Sequence, residues 1–485
     1  MRAPPLLAAL GLGAVILAVC GAFPNVVHAR TKGATGLWSA YGRAATAAND
    51  GAVALTDADV AMLRRRWNVT VGGSLTAQPL YVPAVTISGH SRTLLLVASS
   101  TNVVTAIDPT HGTIVWRRSL GPTRPQVCGG SGGIESTPAV DLARGRVYVI
   151  GADGHLRALS LATGVPVPRF DVQIIKRTDV ETVWGALRLS DDRIYVPVAS
   201  WCDKPDAQGA WDGRLVAVSA ASGHVLATFD PVPGPANGGG IWGPGGISVD
   251  PRDGTIWTAT ANAVVFKNGG LDEKAGLAER VVHLTRNLGV LGSVVQPDSN
   301  QSILGDQGFG ATPMLFQPAG CPPLLAVNSK DSYTYVWRRD KLTAAPIVRM
   351  KLGQAAADDT FYAQPTWIAS SGTLVVGGVS LPNGGAGAVG LRLGKGCTFT
   401  EAWQADIGGG VQPQPLGSGD VVFVSATATH SLDAIDAASG RLVADLDLGT
   451  AGYTAPMMAG SLVVVGTASG SVQAFGSMRR VTGGR

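Results

Sequence analysis

Nine side chains able to bind ligands or move protons are distributed along the middle of the chain. They are Glu135, Trp184, Trp242, Asn262, Asp306, Lys330, Asp359, Tyr362 and Gln364. Carboxylate and amide oxygens can hold a metal ion, and a lysine can hold an anionic group. Indole rings offer flat surfaces for stacking. Together, at one place in the fold, they suit a polar, planar, anionic ligand. Any one of them alone is better explained as a loop residue that caps a strand end.

A recurring pattern defines the elements that must position these groups. Each copy has an apolar run, a short turn that ends in Ser, Thr or His followed by Gly, and a second apolar run. The copies are AIDPTHGTIVW (106–116), ALSLATGVPVP (158–168), AVSAASGHVLA (217–227) and DAIDAASGRLVADL (433–446). Because glycine tolerates the positive φ of a tight turn, the pattern predicts two antiparallel strands joined by that turn.

The repeat predicts an all-β fold, an eight-bladed β-propeller of four-stranded antiparallel blades. The units open at Pro79, Pro138, Gly185, Gly246, Pro313, Pro365, Pro415 and Pro456. The last unit lacks an outer strand with tryptophan, and RRRWNVTV (64–71) supplies one, so we expect the amino-terminal strand to close the ring. A seven-bladed ring with one misassigned unit and an open array of sandwiches are the alternatives.

The amino terminus has the features of an export signal. Met1 and Arg2 precede an apolar stretch from Leu6 to Val19, which is too short to span a membrane. We predict a protein that is secreted, periplasmic or at the cell surface, with a lipoprotein anchored at Cys20 as the alternative. The predicted divisions are a signal peptide (1–29), a lead-in segment (30–63), the propeller (64–476) and a carboxy-terminal tail (477–485).

Charge and histidine distribution exclude two classes of function. The formal net charge is only +4, and the basic run Arg64–Arg66 has no interleaved stacking aromatics, so we expect no nucleic-acid partner. The seven histidines are scattered and no CxxC motif is present, which disfavours a zinc site.

Four cysteines remain once a signal peptide is removed, an even number that suits an oxidising compartment. Cys128 precedes the second unit and Cys202 follows the second strand of the third, which puts both on one face of the propeller. Cys321 and Cys397 both fall on the opposite face, in the fifth and sixth units. The expected disulfides are therefore Cys128–Cys202 and Cys321–Cys397, one of three possible connectivities.

Two segments, WSAYGRAATAAND (38–50) and IWGPGGISVDPRDGTIWTATANA (241–263), carry a resemblance to a known family. They resemble parts of the propeller subunit of alcohol dehydrogenases that depend on pyrroloquinoline quinone (PQQ), whose tryptophan-docking turns are also similar to the repeat turns. The resemblance implies that Trp242 lies beneath the quinone ring and that Asn262 helps to bind calcium.

Two further segments extend the resemblance. GDQGFGATP (305–313) is similar to the segment that carries the catalytic base and calcium ligand, which would be Asp306. NSKDSYTYVWRRD (328–340) is similar to the segment whose cation contacts the quinone oxygens, which would be Lys330. A carboxylate near calcium can remove an alcohol proton as hydride leaves for the quinone.

The chain also departs from that family. The family's third calcium ligand is a glutamate; here the nearest substitute is Asp203, and no adjacent Cys-Cys pair is present. Two functions follow. The first is a quinoprotein oxidoreductase with PQQ and calcium, which oxidises an alcohol or sugar alcohol and passes electrons to a separate acceptor. The second is a non-catalytic propeller that binds a protein or a surface polymer, as outer-membrane assembly lipoproteins with similar repeats do.

Overall fold

The computed structural model describes most of the chain between Gly36 and Ser477. The described residues are 36–202, 211–234, 237–267, 270–297, 308–343, 345–353, 363–378, 381, 385–409 and 413–477. The predicted signal peptide and Cys20 lie outside these ranges, and so do Asp203, Asp306, Asp359 and Tyr362.

Eight small antiparallel sheets form a ring, which confirms the predicted eight-bladed propeller. The first four blades comprise Leu80–Ile87, His90–Ser99, Val103–Asp108 and Thr113–Ser119; Ala139–Asp141, Arg146–Ile150, His155–Ser160 and Pro166–Gln173; Arg188–Ser190, Arg193–Ser200, Arg214–Ser219 and Val225–Phe229; and Ser248–Val249, Ile256–Ala259, Arg280–Leu284 and Val290–Val295. The last four comprise Met314–Phe316, Leu324–Asn328, Tyr333–Arg338 and Val348–Lys351; Thr366–Ile368, Thr373–Gly378, Gly387–Leu393 and Phe399–Asp406; Leu416–Gly419, Val421–Ala426, Ser431–Asp436 and Leu442–Asp447; and Met457–Ala459, Leu462–Gly466, Ser471–Ser477 and Leu63–Thr70.

A few short elements lie outside the four strands of each blade. Asp50–Leu55 pairs in parallel with Leu416–Gly419 and adds a fifth strand to the seventh blade. The remaining elements are the helix Asp57–Ala61, the 3₁₀ turn Lys395–Cys397, the strand Glu181–Thr182 beside Arg193–Ser200, and the two-stranded pairs Arg124–Pro125 with Ser131–Gly132 and Val265–Lys267 with Gly270–Asp272.

The hydrophobic core lies between neighbouring blades. The second strand of the first blade illustrates it, since all five residues from Leu94 to Ala98 are buried. A continuous apolar run of this length is typical of a strand covered on both faces, and stacked blades cover both faces of each middle strand. The outer strands are more exposed, with the alternating burial of Leu63–Thr70 as an example.

The ring closes through the amino-terminal strand, as predicted. Leu63–Thr70 pairs antiparallel with Ser471–Ser477 and forms the outer strand of the eighth blade. Its Trp67 reaches the first blade, where the indole nitrogen donates a 2.8 Å hydrogen bond to the carbonyl of Pro109. The first and last blades are thus joined by a strand pairing and by a side chain.

Trp67 belongs to a docking arrangement that recurs around the ring. Trp116, on the outer strand of the first blade, donates to the carbonyl of Leu161 and covers Gly164 in the turn of the second blade. A Cβ at Gly164 would lie 2.5 Å from the Trp116 ring, so the turn needs glycine for space as well as for its φ of +67°. Trp67 over Gly112 and Trp403 over Gly440 repeat the arrangement.

Residues 38–50, here called the channel segment, run along the innermost strands and contact all eight blades. Its contacts, from the first blade to the eighth, are Trp38 with Tyr81, Ser39 with Val140, Tyr41 and Ala44 with Arg188, Ala45 with Val249, Thr46 with Leu315, Ala47 with Gln364, and Asn49 with Gly417 and Pro456. Arg188 is fully buried, and burial lowers the pKa of its guanidinium to about 10. The channel segment is therefore an integral part of the fold.

Both predicted disulfides are present. Cys128 joins Cys202 with a Cα–Cα distance of 6.0 Å, and Cys321 joins Cys397 with a Cα–Cα distance of 5.7 Å. The first pair connects the loop before the second blade to the end of a third-blade strand, and the second pair connects the fifth and sixth blades. Assigning the cysteines to opposite faces thus selected the correct connectivity.

Candidate functional site

A cavity of about 280 Å³ lies beside the residues that open the blades. We call it the mouth pocket; it is lined by Tyr41, Thr76, Glu135, Thr137, Trp184, Trp242, Pro244, Pro413, Tyr453 and Ala455. Most of these residues lie just before the first strand of a blade, and Tyr41 comes from the channel segment. Glu135, Trp184 and Trp242, which the sequence placed on one face, are brought together here.

Aromatic side chains form one wall of the mouth pocket. The Trp184 and Trp242 rings are 6.4 Å apart at their centroids and inclined by 27°. Trp211 meets Trp242 edge-on at 6.5 Å, and Trp201 meets Trp184 edge-on at 5.4 Å. Such offset and edge contacts hold each ring in place, so the wall is a preorganised aromatic surface.

Trp201 links this wall to a disulfide. It directly precedes Cys202, and its indole nitrogen donates a 3.1 Å hydrogen bond to the carbonyl of Thr178. Trp184 in turn donates a 3.0 Å bond to the carbonyl of Ser200. The Cys128–Cys202 bridge therefore anchors the strand end on which both indoles depend.

Lys330 and Trp242, the two residues predicted to contact a quinone, lie close together. The ammonium is 6.0 Å from the centre of the indole, and only 5% of the lysine is exposed. This is a cation–π distance, and burial strengthens such a contact. Lys330 does not itself line the mouth pocket.

Asn262 is buried close to the segment that carries Trp242. Its backbone carbonyl accepts a 2.9 Å hydrogen bond from Gly239, three residues before Trp242. Its side-chain nitrogen has no hydrogen-bond partner among the described residues. Gln364 has a structural role instead, since it accepts a 2.7 Å bond from Gly245 and donates to Gln414.

The predicted calcium ligands Asp203 and Asp306 lie outside the described residues, so the structure does not test them. In the part of the chain that the structure describes, no group of three or more His, Cys, Asp or Glu side chains is arranged to hold a metal ion.

Glu135 is a site residue to which the sequence assigned no role. Only 8% of it is exposed, and its carboxylate accepts a 2.8 Å hydrogen bond from the hydroxyl of Thr76. Burial raises the pKa of the Glu135 carboxyl, while the Thr76 hydroxyl and the Gly133 backbone oppose the rise. A positional signal existed: Thr76, Glu135 and Tyr453 each stand three residues before the proline that opens their blade.

A second, water-sized cavity of about 20 Å³ lies behind Glu135. It also borders Glu181, whose carboxylate pairs with Arg214 at 2.9 Å. Nearby, Asp212 follows Trp211; burial and the neighbouring Asp230 raise the pKa of Asp212 to about 6. The blade junction behind the aromatic wall is thus acidic, with Arg214 as its counter-charge.

The charge of the described lining disfavours an anionic quinone. Among the described lining residues, Glu135 is the only one with a charged side chain. This acid would repel a quinone tricarboxylate, and the nearby described cation, Lys330, contacts Trp242 but does not itself line the pocket. The indole rings and hydroxyl groups of the described lining suit an uncharged ligand better.

Comparisons with known proteins agree on the architecture. The family model described as outer membrane protein assembly factor BamB matches residues 27–242 and 397–479. No curated protein sequence matches the chain significantly.

Solved structures with the same fold include two dehydrogenases and an outer-membrane protein assembly factor. The quinohemoprotein alcohol dehydrogenase from Comamonas testosteroni superposes with a TM-score of 0.70 at 18% identity, over 93% of this chain and 82% of that one. A europium-containing methanol dehydrogenase gives 0.69 at 14% identity, over 92% and 98%. BamB from Moraxella catarrhalis gives 0.56 at 13% identity, over 87% and 99%. At these identities the similarity shows the fold alone.

Proposed function

Because the chain belongs to the PQQ-like β-propeller family that includes the assembly factor BamB, we propose that it is an exported, non-catalytic propeller that binds a cell-surface polymer at its mouth pocket. Export is supported by the predicted signal peptide and by two disulfides, which persist in oxidising compartments. No helix in the described ranges is long and apolar enough to cross a membrane.

The observation that carries this proposal is the composition of the mouth pocket. Its described lining residues include two indoles, two phenols and a single carboxyl group. Aromatic faces supply contact area at little entropic cost, and the carboxyl and hydroxyl groups supply direction. The pocket is thus equipped to hold one repeating unit of a polymer.

The scaffold around the pocket supports a role in binding. Tyr41 lines the pocket from the channel segment, which is hydrogen-bonded to the inner strands of the blades. The Cys128–Cys202 bridge holds the strand end next to Trp201, which packs on Trp184. A rigid wall loses little conformational entropy when a ligand binds, which favours recognition by a preformed surface.

Co-sedimentation with insoluble polymers tests the proposal. Purified protein is mixed with peptidoglycan sacculi, cellulose or chitin, and the fraction in the pellet is compared with that of Trp184→Ala. Leu291→Ala, on an exposed outer strand, is the control. We expect one polymer to retain the wild type and the control but not Trp184→Ala. Retention of none, or equal retention of all three proteins, would contradict the proposal.

A second candidate is a PQQ-dependent alcohol dehydrogenase, favoured by the position of Lys330 against Trp242. It would use Asp306 as the base, Trp242, Asn262 and Lys330 toward the cofactor, and Asn262, Asp306 and Asp203 toward calcium. Adding PQQ and calcium to the purified protein tests it. A bound chromophore with calcium-dependent thermal stabilisation would support the dehydrogenase, and Asp306→Asn should then abolish dye-linked alcohol oxidation.

A further inference from the structure

We infer that the mouth pocket selects an uncharged sugar residue, which stacks on the Trp184–Trp242 wall and donates a hydroxyl hydrogen bond to Glu135. This inference rests on the proposed function, since it names the chemical class of the polymer unit. It follows from three properties of the pocket: its aromatic wall, the placement of the charges around it and the unused acceptor capacity of its carboxyl group.

The wall suits a ring with an apolar face. Trp184 and Trp242 are inclined by only 27°, and the edge contacts from Trp201 and Trp211 restrict their rotation. A pyranose has axial C–H groups on one face and hydroxyls at its edge, so its face can bury against an indole while its hydroxyls reach polar groups. The lining offers Thr76, Glu135 and Thr137 as such groups.

The charges around the wall disfavour both kinds of ionic ligand. A uronic acid on the wall would bring a carboxylate into the buried surroundings of Glu135. An amino sugar on Trp242 would approach the Lys330 ammonium, which lies 6.0 Å from the centre of the indole. Each charged ring would also meet one group of opposite charge, so repulsion and attraction oppose each other, and the loss of water around the ligand charge is not compensated. A neutral ring avoids this desolvation cost.

Glu135 retains capacity to accept hydrogen bonds from a ligand. Two carboxylate oxygens provide about four acceptor positions. The Thr76 hydroxyl occupies one of them at 2.8 Å, and the Gly133 backbone also stabilises the ionised form. A sugar hydroxyl can use a remaining position, and burial makes such a bond both directional and costly to leave unmade.

Three glycosides of one shape and different charge test the inference. Binding of the methyl glycosides of glucose, glucosamine and glucuronic acid is measured at pH 6 by tryptophan fluorescence. At that pH the amine is protonated and the uronate is ionised. We expect the glucoside to bind about tenfold more tightly than either charged analogue, a difference of about 1.4 kcal/mol. A preference for the glucosaminide or the glucuronide would overturn it.

Glu135→Gln is the informative variant because the amide keeps an oxygen that can accept from Thr76. We expect it to weaken glucoside binding about threefold, because a neutral oxygen accepts a weaker hydrogen bond than a carboxylate, and to reduce the roughly tenfold preference for the glucoside over the glucuronide to about twofold or less. Glu401→Gln, on the exposed outer strand of the sixth blade, is the matched control and should change neither affinity. An unchanged preference in Glu135→Gln would contradict the charge argument.

Two results separate this inference from the proposed function. If no glycoside binds but an insoluble polymer still retains the wild type and releases Trp184→Ala, the sugar class is wrong and the binding role stands. If neither glycosides nor polymers bind, the proposed function itself fails.

Discussion

The hydroxyl of Thr76, before the first blade, donates a 2.8 Å hydrogen bond to the carboxyl of Glu135, before the second blade. The bond joins two neighbouring blades at the wall of the mouth pocket and stabilises the ionised form of a buried acid. The charge of the pocket therefore depends on a contact between blades.

Thr76→Val removes that contact with little change in volume. We expect the pKa of Glu135 to rise further, because the hydrogen bond favours the carboxylate, and the free energy of unfolding to fall by about 1 kcal/mol. The carboxyl resonance of labelled glutamate, assigned by its absence in Glu135→Gln, reports the pKa. Thr76→Ser keeps a hydroxyl and should titrate like the wild type; an unshifted resonance in Thr76→Val would contradict the prediction.

Asp433 should make stability depend on pH. It is 3% exposed in the seventh blade, and burial, with the facing Asp445, raises its pKa to about 7. Because the folded state binds this proton more tightly than the unfolded chain, the stabilisation by protonation is complete below about pH 4 and is lost as pH rises through about 7.

Asp433→Asn removes this charge and keeps an oxygen to accept from the Ser431 hydroxyl. We expect the variant to exceed the wild type in free energy of unfolding by on the order of 2 kcal/mol at pH 8 and to match it at pH 4. Urea denaturation at several pH values measures the difference. A gap that is constant with pH would show that Asp433 does not titrate in this range.

The two disulfides form a matched pair for separating stability from binding. They close loops of nearly equal length, with sequence separations of 74 and 76 residues. On chain-entropy grounds, replacing either pair by serines should cost about 4 kcal/mol. Only loss of Cys128–Cys202 should weaken ligand binding, because Trp201 follows that strand end and packs on Trp184. Equal loss of binding in both variants would show that the Cys128–Cys202 bridge has no specific role in positioning Trp201.

Trp67→Ala should weaken the seam of the ring. Its indole docks on the first blade over Gly112 and donates to Pro109, so its loss removes packing and a hydrogen bond, at a cost of about 3 kcal/mol. Trp116→Ala removes the equivalent contact between the first and second blades, which the chain joins directly. Both should unfold at lower urea concentration, and Trp67→Ala should additionally be cleaved faster by protease between residues 50 and 70. Similar cleavage of both variants would show that the junction between the first and last blades is no weaker than the other junctions.

Local patterns were sufficient for the architecture. The turn glycines and the apolar runs each constrain a few adjacent residues, and their repetition predicted four-stranded blades, eight units and the closing strand around Trp67. The pairing of Cys128 with Cys202 followed from the same strand assignments. The parallel strand Asp50–Leu55 was not predicted, because its partner Leu416–Gly419 is remote in sequence.

The sequence by itself therefore determined the class of fold and the face on which most candidate groups lie, since periodicity and turn chemistry act between neighbouring residues. Only the tertiary structure decided what kind of pocket they form. Glu135 meets Thr76, and Lys330 meets Trp242, because stacked blades bring distant segments together. Burial then raises the pKa of Glu135. Burial arises only when the ring of blades is closed, so no local sequence pattern can predict it.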